Sequence, residues 1–140
     1  MNTILFDTNV VLDVLLDRKP YAEASAAAWA AVETGKAVEG MVAAHAVTTI
    51  HYLLRKEKGN AKAEEIVLAI LKVFGVAPVD SPVLQEALRL RFSDFEDAVT
   101  AAAARSAGCE FIVTRDPKGF RGSPVRTLTP EALLPLLARK

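Results

Sequence analysis

Short apolar runs alternate along this chain with longer stretches whose apolar residues recur every three or four positions. The runs "TILF" (3–6), "VEGMVA" (38–43), "VAPVD" (76–80), "EFIVT" (110–114) and "VRTL" (125–128) predict five strands. A first helix is expected from Thr8 to about Leu16, where Val10, Val11, Val14 and Leu15 share a face. Pro20 is expected to open an alanine-rich second helix that Gly35 closes. Further helices are expected over 44–59 and 61–75, and from Ser81-Pro82 through Leu90. Another covers the stretch up to Gly108, with Ser93 and Glu96 spaced as a capping box, and Thr129-Pro130-Glu131 begins the last. Strands this short, apolar on both faces and separated by helices, imply one α/β domain over 1–140. Its parallel sheet of roughly five strands would carry helices on both sides.

Composition narrows this picture only slightly. With 51% hydrophobic and 24% charged residues in 140, the chain is an ordinary globular domain rather than a disordered one. Its 17 basic and 17 acidic residues balance, so the total charge does not announce a nucleic-acid binder. Cys109 is the single cysteine, which excludes an internal disulfide and suits a reducing, cytoplasmic setting. Residues 1–6 carry no basic leader pattern, and no uncharged apolar stretch reaches about 18 residues, so neither a signal peptide nor a membrane span is expected.

The acids change the picture more. In open α/β sheets, ligands bind outside the carboxyl ends of the strands, where strand order reverses. Asp7 ends the first expected strand and Asp116 lies just past the fourth. Each acid has an ordinary explanation. Asp7 suits a helix N-cap, Asp94 would gain from a helix dipole, and Asp116 before Pro117 fits a turn. Asp13 is expected on a solvated helix face. Asp97, three residues after Asp94 on one face, is harder to explain, because like charges repel unless a cation joins them. Taken together, Asp7, Asp97 and Asp116, with Asp94 nearby, cannot all stay ionised without a partner. Oxygen ligands without a Cys/His set point to Mg²⁺ or Mn²⁺, ions that can activate water and stabilise a leaving phosphodiester oxygen.

"ILFDTNVVLD", then "DFEDAVTAAAA", then "FIVTRD" with Phe120 four residues beyond Asp116, resemble PIN-domain ribonucleases, in particular VapC-like toxins of toxin–antitoxin pairs. The resemblance spans essentially the whole chain. It implies a three-layer α/β/α sandwich on a mainly parallel sheet, divalent-metal-dependent cleavage of RNA, and a homodimer bound to a cognate antitoxin. Asp7, Asp97 and Asp116 match the family's metal-binding acids, and Asn9 and Thr114 its supporting polar positions. One departure stands out. The family usually carries a glutamate on the helix after the second strand; here Thr48 and Thr49 occupy that region, Thr49 in the matching place. Asp94 could substitute, Asp13 could help less directly, or the site could hold a single ion weakly.

Other residues have plainer roles. His45 and His51 are six apart, on different helix faces, and read as packing or surface groups, with His51 the nearer to the missing acid. Cys109 reads as a small buried hydrophobe, Trp29 as a core or dimer contact, and Phe120 as folded back on the core. Arg115, Lys118 and Arg121 surround the loop beside Asp116 and are the candidates for holding an RNA backbone. A phosphorelay receiver would use Asp80 but needs a lysine ending the last strand, which "VRTL" lacks. A phosphohydrolase with an aspartate nucleophile would need an acid where Asn9 stands. The remaining rival is a catalytically impaired domain of the same fold that binds RNA or a partner protein.

Overall fold

The computed structural model describes residues 2–35 and 38–138. In chain order the elements are β1 (Asn2–Phe6), α1 (Thr8–Leu15), α2 (Ala22–Thr34), β2 (Val38–Ala43), α3 (Ala44–Lys58), α4 (Asn60–Val73) and β3 (Gly75–Ala77). They continue with α5 (Ser81–Leu90), α6 (Phe95–Ser106), β4 (Phe111–Val113), a 3-10 turn (Pro117–Phe120), β5 (Arg126–Leu128) and α7 (Pro130–Ala138). The strands form one five-stranded sheet, ordered β3-β2-β1-β4-β5, with every pairing parallel. The order reverses between β1 and β4, which makes that crevice the switch point of the fold.

Strand periodicity sends alternate side chains to opposite faces, and each face has its own core. Ile4, Phe6, Val42 and Val113 pack with residues of α1, α2, α3, α4 and α7. Leu5, Ala43 and Ile112 pack with α5 and α6. This is the expected three-layer sandwich. Helix α6 is buried from Ala98 to Ala104, and its small side chains let it lie close against the sheet. Beneath the other layer, Phe74 meets Phe6 and Trp29 edge-on, with ring centroids 5.0 Å apart in each case. Gly40 makes room for that cluster: a Cβ there would lie 2.8 Å from the Phe74 ring and from Val32.

Three expected boundaries shift. Helix α2 starts at Ala22, with Pro20 in the turn before it. Strand β3 is Gly75–Ala77, not 76–80, because Pro78 has no N–H to continue the ladder. Asp80 instead caps α5, its carboxylate accepting from Val83 N at 3.2 Å. The expected Ser93–Glu96 capping box is displaced by one residue. Asp94 is the N-cap of α6, with extended backbone, and its Oδ1 accepts from Asp97 N at 3.1 Å.

Candidate metal centre

The site grows out of the ends of β1 and β4, the two strands that flank the switch point. Asp7 leaves β1 still in the ladder, its N–H donating to Val113 O at 2.9 Å. It then caps α1. Its Oδ1 accepts from Thr8 N at 2.9 Å and its Oδ2 from the Thr114 hydroxyl at 2.8 Å. The helix-cap role is therefore real, and it spends only part of the carboxylate's accepting capacity. Asp7 is 7% exposed and Thr114 fully buried. Burial pushes the Asp7 carboxyl above the ordinary range. The bonds from Thr114 and Thr8 and the charge of His45 pull it back, and Asp94 pushes it up again.

Asp97 enters from the third residue of α6, held by the Asp94 cap. Its carboxyl is pushed up to about 7, first by burial and then by the charges of Asp7, Asp94, Asp116 and Glu96. Acids on three separate segments thus repel one another at one place. Asp116, on the loop after β4, completes the group, its N–H donating to Thr114 Oγ1 at 3.2 Å. Gly119 shows where the gap lies. A Cβ there would be 3.1 Å from Asp97 Oδ2 and 3.3 Å from Asp116 Oδ2, so two carboxylates face a single point that only a residue without a side chain leaves open. Among the described residues no three acidic, histidine or cysteine side chains already stand at ligating distance. Mg²⁺ is commonly held by one or two carboxylates with several waters, so an open set of acids suits it.

The remaining expected residues divide. Asn9 joins the site indirectly, its Oδ1 accepting from Arg115 N at 3.3 Å. Lys118 and Arg121 are exposed beside the acids and make no ion pair among the described residues. Arg115 is already engaged within the fold. Its Nε lies 3.1 Å from Asp13 Oδ2 and its guanidinium 4.2 Å over the Tyr21 ring. Asp13 departs from its expected place. The expected solvated residue is 0% exposed, because the face of α1 that carries it turns inward beneath Arg115 and Arg18. Burial lifts its carboxyl, and Arg115 and then Arg18 counter that.

Phe120 and Cys109 are buried as expected, Phe120 against Phe92 with centroids 6.2 Å apart. Thr48 hydrogen-bonds back to His45 O at 2.8 Å, and Thr49 enters none of the bonds around the acids. The residue of α3 that does reach this edge is His45, whose Nε2 lies 3.3 Å from Thr100 Oγ1. The Thr100 hydroxyl also bonds Glu96 O at 3.0 Å. From the sequence alone His45 reads as a packing or surface group. Its position two residues past the end of β2, at the same sheet edge, was the available signal.

Acids from three separate segments thus gather at the switch point of a parallel α/β sheet. Residues 3–118 match the PIN domain family, and the chain belongs to it. Ribonuclease VapC1 of Aquifex aeolicus (strain VF5) is 24% identical over 133 residues, covering 91% of this chain and 90% of that protein. Among solved structures, FitAcB from Neisseria gonorrhoeae is 25% identical with a TM-score of 0.71, over 91% of this chain and 98% of that one. A toxin–antitoxin complex from Klebsiella pneumoniae shares the fold at 19% identity and a TM-score of 0.69, over 91% of this chain and 97% of that one.

Proposed function

We propose that this protein is a divalent-metal-dependent ribonuclease, the toxin of a VapC-like pair with a cognate antitoxin as partner. The observation that carries this reading is the convergence of Asp7, Asp97 and Asp116, with Asp97 pushed up to about 7 by its neighbours. The ribonuclease relative and the toxin–antitoxin complex of like fold support the substrate class and the partner. Asp7, Asp97 and Asp116 would hold Mg²⁺ or Mn²⁺, with Asp94 as an auxiliary ligand through the oxygen its cap bond leaves over. When bound, the ion supplies Lewis-acid polarisation of the phosphate and lowers the pKa of a water.

The chain's own groups do the rest. Thr114 fixes the rotamer of Asp7 through the bond to Oδ2, and Asn9 holds the loop that carries Asp116. Lys118 and Arg121 are free to meet backbone phosphates of an incoming RNA, each as a salt-sensitive contact. A homodimer in the cytoplasm accompanies this reading; no described helix is long and apolar enough to cross a membrane.

The test is incubation with structured RNAs with and without Mn²⁺, beside an Asp7→Asn variant. Cleavage that needs the ion and is lost in the variant is the expected result. RNA that is bound but never cut, or cleavage untouched by Asp7→Asn, would overturn it.

A further inference from the structure

Asp13 is a carboxylate enclosed in the layer that α1 helps to build, and the mechanism above gives it nothing to do. Its 3.1 Å contact with Arg115 Nε is an ion pair made off the line of the N–H bond. Among the described residues neither Asp13 carboxylate oxygen accepts a hydrogen bond. A buried carboxylate so poorly bonded, facing a guanidinium that is itself partly exposed, contributes little to stability, and well-packed apolar residues often replace buried pairs without loss. The partner is informative. Arg115 directly precedes Asp116, and residues 114–115 are fastened to the Asp7–Asp13 segment at three successive points. The Thr114 hydroxyl sits on Asp7, the Arg115 N–H on Asn9, and the Arg115 guanidinium on Asp13, with Tyr21 4.2 Å beneath it. Asp116 leaves directly from this clamp to face Asp97 around Gly119.

We propose that Asp13 and Arg115 are positioning residues, an ion pair of a buried carboxylate with a partly exposed guanidinium that sets the placement of the 114–121 loop and therefore where the Asp116 carboxylate stands relative to Asp97. The pair touches neither ion nor substrate. This rests on the metal-dependent reading above. It also assigns Arg115 away from the RNA backbone, leaving Lys118 and Arg121 for that task.

The decisive variant carries Asp13→Leu and Arg115→Met together, which removes both charges and keeps the volume. Its melting temperature in EDTA is expected to equal or exceed that of the parent. Its Mn²⁺ affinity, read by EPR titration of free ion, is expected to fall about 10-fold, the loss typical of a group that orients a ligand. The kcat for RNA cleavage falls with it and KM changes little. Amides of residues 114–121 should exchange faster in EDTA, with those of β1 unchanged. A double variant with parental Mn²⁺ affinity and parental loop exchange would overturn the proposal. If the double variant does not fold, Arg115→Lys, which keeps the charge but loses the planar fork and the ring contact, is read in the same way. A parent protein that binds no Mn²⁺ and cuts no RNA would sink the functional reading instead, and the exchange measurement would still decide whether the pair positions the loop.

Discussion

Replacing Gly119 by alanine separates the stability of this fold from the working of its site. The added methyl would stand 3.1 Å from Asp97 Oδ2 and 3.3 Å from Asp116 Oδ2, where ordinary contact begins at 3.4 Å. One or both carboxylates must therefore shift by about 0.3 Å, more than the roughly 0.2 Å tolerance of a well-formed metal–ligand distance. Gly119 is not among the glycines with positive φ, so alanine meets no backbone strain there. Gly→Ala at a compatible position stabilises by about 0.4–1 kcal/mol through the unfolded chain. The two readouts should thus move in opposite senses. The melting temperature in EDTA should hold or rise slightly, while Mn²⁺ affinity, by calorimetric titration, should weaken about 10-fold. Parental Mn²⁺ affinity in Gly119→Ala would mean that the ion does not lie between Asp97 and Asp116, and the reasoning from the gap would fail.

Two further outcomes follow from the same structure. Because the Asp97 carboxyl is pushed up to about 7 from the ordinary 3.8, the metal-free folded protein holds a proton there that the unfolded chain has lost, and it should lose stability as pH rises between those values. Each unit corresponds to about 1.4 kcal/mol, and partial exposure screens this to an overall loss of ~1–2 kcal/mol. Melting curves in EDTA should show that loss between about pH 4 and about 7, and Mn²⁺ should raise the midpoint more at the upper end, where no proton competes; a flat profile would contradict the assignment. Gly40→Ala should destabilise by about 1–3 kcal/mol, since its Cβ would overlap the Phe74 ring at 2.8 Å, and a thermal scan reads this directly while Mn²⁺ affinity stays unchanged.

Strand and helix order, the parallel sheet and the placement of Asp7 and Asp116 at one edge were legible in the amino-acid pattern, because periodicity and chain order are local properties. The limits of that legibility are equally specific. Ser93 and Asp94 are both good caps, and only the backbone entering α6 selected Asp94, which put Asp97 at the third helical position. Asp13 read as a solvated residue because spacing gives a helix face but not its neighbour. What turned it inward was the return of β4 beside β1, which carried Arg115 across a gap of about a hundred residues. Gly119 was silent for the same reason, and His45 offered only its place two residues past β2. The role of each comes from what lies opposite, two carboxylates for the one and Thr100 for the other. Residue order by itself determined which groups could reach the rim of the sheet. Tertiary packing alone decided which of them meet there, since the distances that govern charge, burial and ligation join segments far apart in the chain.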